Sequence, residues 1–176
     1  MMKGKLKYLI LFAVTVFVVG LDQWTKSLVI NRFRLGESIS IIEGFFSLTY
    51  VRNTGAAFGL LAGAHPAFRI PFFVIVPIIA LIAIGLIFKK LPVTDRKLST
   101  ALSLVIGGAV GNLIDRLALG YVVDFLDFHW KFLYHFPAFN VADSAICVGV
   151  GILMLDLLTQ ESFQKKETPT DASTSH

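Results

Sequence analysis

Apolar residues fall into four long runs, from Tyr8 to about Ile30, Ile70 to Phe88, Leu98 to about Leu119, and Val141 to Leu158. At a rise of about 1.5 Å per residue each can cross a hydrocarbon core of about 30 Å, the last at the short end of the range. The pattern predicts an all-α integral membrane protein with four transmembrane helices. Pro71 and Pro77 fall inside the second run, where neighbouring helices can satisfy the carbonyls they free. Between the first two runs, Ser38 to Asn53 alternates β-branched and aromatic with polar residues around Glu43-Gly44. That is the pattern of a short hairpin, expected to form a small extracytoplasmic β-sheet resting on the bilayer. The next stretch, NTGAAFGLLAG, joins a glycine turn to a short apolar segment suited to an interfacial helix. Tyr121 to Phe139 is expected to be a loop, with Phe125, Phe128, Trp130, Phe132, Tyr134 and Phe136 at headgroup depth.

Composition supports the membrane assignment: 55% of the 176 residues are hydrophobic, against about 45–50% in soluble domains. One domain, residues 1–159, is expected, followed by a disordered cytoplasmic tail over residues 160–176, which is polar and lacks apolar periodicity. The net charge of +4 does not imply nucleic acid, because the basic residues sit in short groups at the ends of apolar runs. Lys3, Lys5 and Lys7 lie on one side; two crossings return Lys89, Lys90, Arg96 and Lys97 to it, and four return Lys165 and Lys166. Both termini are therefore expected to be cytoplasmic. The N-terminal run resembles a secretory signal, but no small-x-small site precedes Asp22, so a retained first helix is expected. The single cysteine, Cys147, leaves no internal disulfide and is expected to be a packed core thiol.

The polar residues within this apolar chain gather at one level. Asp124 and Asp143 bracket the same outer loop, on segments running in opposite directions. Asp22 and Lys26 lie toward the outer end of the first helix, and Asn53 lies in the loop above it. In the third helix Gly107 and Gly111 form a G-x-x-x-G step, while Gly108, Asn112 and Arg116 recur every four residues. Such positions drift only about 40° per step, so small residues below and polar ones above share a stripe against a neighbouring helix.

Each polar residue has a structural explanation of its own. Asn140 suits an N-cap with Asp143 at N3, and Asp22 and Lys26, four apart, can neutralise each other. Asp115 and Arg116 suit structural pairs, Asp127 a solvated position, Asp156 the cytoplasmic interface, and His129 and His135 an interfacial one. What favours function is convergence at one depth, since an ionisable group inside a membrane costs about 2.5–3.5 kcal/mol even by low estimates. Two carboxyl groups sharing one water there would share a proton as well, one removing a proton from water and the other donating to a scissile carbonyl. That is the chemistry of an aspartic-protease dyad. The dipole at the start of the fourth helix favours Asp143 as its ionised member. No HExxH, GxSxG or Cys–His arrangement competes with it.

The motifs DQWTK (Asp22 to Lys26), VRNTGAAF (Val51 to Phe58), GGAVGNLIDR (Gly107 to Arg116), VVDF (Val122 to Phe125) and FNVADSAI (Phe139 to Ile146) occur in that order. Through them the chain closely resembles the bacterial lipoprotein signal peptidases, or signal peptidases II. Gly59 stands where that family often has Ser. The resemblance implies that Asp124 and Asp143 are the catalytic pair, and that Asp22, Lys26, Asn53, Gly55, Gly108, Asn112, Arg116 and Asn140 shape and support the site. It implies four helices with an external β-cradle and an interfacial helix, no metal or organic cofactor, and a site toward the extracytoplasmic face of the bacterial inner membrane. The implied substrate is a diacylglyceryl-modified prolipoprotein, cleaved just before the lipidated cysteine. Membrane lipids are the other expected partners, and a monomer is expected.

The competing class is a small polytopic transporter or structural subunit using intramembrane Asp and Arg pairs. A transporter relay would spread polar groups across the depth or show related halves; here they gather toward one face, without a repeat.

Overall fold

The computed structural model describes residues 2–55, 63, 65–130 and 134–167. Its elements, in order, are α1 (Met2–Arg32), β1 (Ser38–Ile42), β2 (Phe46–Asn53), α2 (Pro66–Lys90), α3 (Arg96–Leu119), β3 (Val122–Trp130), β4 (Tyr134–His135) and α4 (Val141–Glu167). All four helices are long and apolar enough to span a bilayer, as the apolar runs require. The chain is a multi-pass membrane protein.

Local chemistry sets the helix ends. Asp95 accepts the Leu98 N–H at 2.9 Å to start α3, and Gly120, at φ 77°, ends it in the left-handed conformation that side chains disfavour. Helix α2 starts with Pro66 in its first turn and ends before the extended Leu91, which precedes Pro92. The α4 helix runs on to Glu167, so helical structure reaches past Gln160, where the polar tail begins in sequence.

Helix α3 is the hub: 44% of its apolar span is buried, against 17%, 6% and 17% for the spans of α1, α2 and α4. Large side chains elsewhere on the bundle, such as Phe12, Phe17, Ile79, Ile82 and Leu155, are exposed where lipid would cover them. Small residues explain the hub. A Cβ on Gly107 would come within 2.9 Å of the Val18 Cβ on α1, and one on Gly108 would collide with the Ala142 carbonyl on α4. The glycine stripe therefore lets two helices approach α3 closely from different sides. At the other end of the bundle, buried Lys7 of α1 donates to the Leu91 carbonyl at 2.9 Å, tying α1 to the end of α2.

The expected hairpin forms: β1 and β2 pair antiparallel around Gly44, whose φ is 70°. The Tyr121–Phe139 segment differs from expectation, because most of it is strand. β3 pairs antiparallel with β2, β4 pairs with the end of β3, and the order is β1-β2-β3-β4. Its aromatics divide accordingly. Trp130, Tyr134 and Phe136 are exposed, whereas Phe125 is buried with Val29, Tyr50 and Val123 and Phe128 stacks on Phe139 with centroids 5.8 Å apart. Phe132 and the greater part of the expected interfacial helix lie outside the described residues.

Candidate active site

The two aspartates reach one place through backbone pairing. Helix α3 ends at Gly120, and the chain passes directly into β3, where Val122, Val123, Asp124 and Phe125 are all buried. The residue before Asn140 then doubles back onto β3: Phe139 N donates to Leu126 O at 3.1 Å, while Phe125 N and Leu126 N both donate to Phe139 O. This short antiparallel bridge delivers the start of α4, with Asn140 and Asp143, beside Asp124.

Asn140 and Asp143 form the expected cap. Asp143 N donates to Asn140 Oδ1 at 2.9 Å, and Asn140 N donates to Asp143 Oδ2 at 3.3 Å, an aspartate version of the reciprocal capping box. The cap also serves the second aspartate, because Asn140 Nδ2 donates to Asp124 Oδ1 at 2.7 Å. Asn112 on α3 completes the arrangement: its Nδ2 donates to Asp143 Oδ1 at 2.7 Å, and its Oδ1 accepts from Asn140 Nδ2 at 3.1 Å. Two amides thus hold both carboxyl groups in one network. Asn53, at the end of β2, donates to the other oxygen of Asp124 at 3.0 Å and accepts the Gly55 N–H, also at 3.0 Å.

Electrostatics separates the pair. Asp124 is only 1% exposed, and burial, reinforced by the nearby Asp143 charge, raises its pKa from the ordinary 3.8 to about 7. Asp143 is partly exposed and sits in the first turn of α4, where the N-terminal dipole favours a negative charge. The raised Asp124 suits a pair that holds one proton between its two carboxyl groups.

Behind the amides lies a buried ionic cluster. Lys26 Nζ contacts Asp22 Oδ2 at 2.8 Å, Asp115 Oδ2 at 3.0 Å and Asn112 Oδ1 at 3.0 Å. An ammonium can only donate, so it fixes the Asn112 oxygen toward itself and leaves the Asn112 amino group facing Asp143. Asp22 in turn accepts the Ala142 N–H at 2.9 Å, joining α1 to the start of α4. The mutual neutralisation expected for Asp22 and Lys26 therefore extends to a third charge. Sequence reasoning gave Asp115 only a generic pairing role and passed over Gln23. Asp115 accepts from Val123 N at 3.0 Å and from Gln23 Nε2 at 2.9 Å, clamping α1 and α3 to β3. The spacing of DQWTK carries a signal for Gln23, since it adjoins Asp22 on a helix otherwise apolar at that depth.

Gly108 supports the site by the close α3–α4 approach, and Gly111 adjoins it, since a Cβ there would lie 2.7 Å from Asp22 Oδ2. Arg116 is half-buried, stacks over Phe73 with its Cζ 5.2 Å from the ring centroid, and interacts electrostatically with both Asp143 and Asp124. Other polar residues fall elsewhere. Asp127 accepts from Thr49 Oγ1 at 2.8 Å instead of standing solvated, and buried His129 lies 3.1 Å from Ser47 Oγ. Asp156 pairs with Lys97 at 2.9 Å. Cys147 is exposed on α4, not packed in the core, because the buried face of that helix turns through Ala142, Ala145 and Gly149. Among the described residues, no three His, Cys, Asp or Glu side chains converge as metal ligands do.

Comparison with known proteins places this site in a family. The family model of Signal peptidase (SPase) II matches residues 14–159. A lipoprotein signal peptidase of Geobacter metallireducens is 49% identical over 93% of this chain and 99% of its own length. Another, from Geobacter sulfurreducens, is 50% identical over 88% and 94%. A bacterial membrane enzyme solved by the in meso method at 2.3 Å resolution is 40% identical, superposes with a TM-score of 0.79, and covers 92% of this chain and 94% of that one. Taken with two carboxyl groups held by shared amides at the end of a four-helix bundle, these matches show that the chain belongs to the signal peptidase II family.

Proposed function

We propose that Asp124 and Asp143 are the catalytic residues of an intramembrane aspartic endopeptidase that removes signal peptides from diacylglyceryl-modified prolipoproteins, cutting just before the lipidated cysteine. The observation that carries the assignment is the shared amide network, in which Asn140 bonds to both aspartates and Asn112 to Asp143. With Asp143 ionised and Asp124 protonated, Asp143 removes a proton from a water as its oxygen attacks the scissile carbonyl. Asp124 gives its proton to the carbonyl oxygen, so a neutral tetrahedral diol forms without a free oxyanion. Collapse returns one hydroxyl proton to a carboxylate and passes the other carboxyl's proton to the departing amine. Amine and acid are released, and the pair is left with one proton.

The site's level supports a lipid-tethered substrate, since a diacylglyceryl anchor would hold the bond before its cysteine at the membrane surface. Charge placement supports an extracytoplasmic site with both termini in the cytoplasm: Lys89, Lys90, Arg96 and Lys97 flank the helix ends remote from Asp124 and Asp143.

The test is cleavage of a synthetic diacylated prolipopeptide by the purified protein and by its Asp124→Asn and Asp143→Asn variants. Each variant should remain folded and lose nearly all activity. Full activity in either variant would exclude the pair.

A further inference from the structure

Beside the carboxylate pair is a second feature that the hydrolytic step does not use. Arg69 on α2 and Arg116 on α3 line one small pocket together with Asn53, Thr54, Phe73 and Tyr121, and among the described residues no acidic side chain lines it. The space admits about one water-sized group, enough for one oxygen of a larger ligand whose remainder lies outside. Asn53 belongs to both places. It forms part of the pocket wall and donates to Asp124 Oδ2 at 3.0 Å, so the pocket opens one side chain from the pair. Phe73 steadies Arg116 through a cation–π contact.

Arg69 and Arg116 both line the pocket, so an anion entering it comes within reach of two cationic side chains. Their planar, multi-donor geometry suits a carboxylate or phosphate. The proposed reaction makes such an anion at this spot. Hydrolysis adds the water's hydroxyl to the acyl carbon and a proton to the leaving amine, and the resulting acid ionises to a carboxylate by giving its proton to the released amine. That new charge arises beside the two aspartates, whose like charge repels it toward the cationic side of the site.

We infer that the Arg69–Arg116 pocket receives the C-terminal carboxylate of the released signal peptide and draws it off the aspartate pair. This rests on the peptidase function proposed above. Arg69 is thereby a product-binding residue, and the free acid of the signal peptide is a better ligand than an uncharged equivalent.

The experiment compares two signal-peptide fragments, identical except for a C-terminal acid or amide, as inhibitors of prolipopeptide cleavage by the purified full chain in phosphatidylcholine bicelles. The acid should inhibit about tenfold more tightly, the worth of one charge-assisted hydrogen bond. Arg69→Gln should bring the two within about twofold, and Arg69→Lys should restore part of the difference. Equal inhibition by acid and amide in the unaltered protein would overturn the inference without any variant being needed. A preference that survives Arg69→Gln would also overturn it. Bicelles containing phosphatidylglycerol separate the other anion source: if they abolish the acid preference, the pocket is a lipid-phosphate site and the product assignment falls. Absence of any cleavage by the unaltered protein would instead sink the peptidase proposal, so the two failures are distinct.

Discussion

Asn140 Nδ2 lies 2.7 Å from Asp124 Oδ1, and both residues are almost wholly buried, at 0% and 1% exposure. One asparagine caps the helix that carries the first aspartate and hydrogen-bonds the second, which lies on a strand. Its substitution by alanine should misalign both carboxyl groups at once. Asn140→Ala is expected to lower kcat by about a hundredfold or more, with a smaller change in KM. Steady-state kinetics on the diacylated prolipopeptide would check this, and an unchanged kcat would show that the amide does not position the pair.

The pH profile should carry a mark of Asp124. Its pKa is raised to about 7, so activity should fall on the alkaline side as that carboxyl loses its proton near pH 7. Asn53 favours the ionised form by donating to Asp124 Oδ2. Asn53→Ala should therefore move the alkaline limb to higher pH, whatever it does to the maximum rate. A limb that stays in place or moves lower would contradict this assignment. The same shift has a stability consequence. Between about pH 4 and pH 7 the folded chain holds a proton on Asp124 that the unfolded chain has lost, so this group makes stability decline as pH rises through that window.

The α3–α4 contact depends on Gly108. In an ordinary helix Gly→Ala is stabilising, but here the added Cβ would strike the Ala142 backbone carbonyl and Ile146. Gly108→Ala is expected to cost about 1–3 kcal/mol and to reduce activity, because Asn112 and Asp143 lie on the two helices forced apart. Gly85, where an added Cβ would meet nothing within 4 Å, is the control: Gly85→Ala should leave the thermal midpoint unchanged or slightly higher.

Removing the buried ammonium should be far more damaging than removing an exposed one. Lys26 is 2% exposed and faces Asp22 and Asp115, at 0% and 3%. Lys26→Met leaves those carboxylates without their cation and is expected to cost about 3–5 kcal/mol. By contrast Lys97 is 54% exposed in its pair with Asp156, and Lys97→Met should change stability by less than about 1 kcal/mol. Thermal unfolding in detergent micelles would measure both, and similar losses would contradict the assigned burial.

Much of this protein is legible along the chain because the relevant physics is local or periodic. Runs of about twenty apolar residues specify spanning helices, whatever they pack against. Alternation around Glu43-Gly44 specifies the hairpin, and the spacing of Asn140 and Asp143 specifies a cap. Convergence of the two aspartates at one depth follows from topology alone, since the spans that flank them run in opposite directions.

What tertiary structure decided was partnership between distant residues. VVDFLDFHW becomes a strand because β2 offers an edge to pair with, and Phe139 folds back onto Leu126; its aromatic content alone describes an interfacial loop equally well. Lys26 faces Asp115 as well as Asp22, and Asn112 lies between Lys26 and Asp143. No spacing in the chain encodes those contacts, which arise only when α1, α3 and α4 close on the glycine stripe. Cys147 faces outward for the same reason, because hydropathy measures how apolar a span is, whereas packing against α3 determines which face is covered by protein.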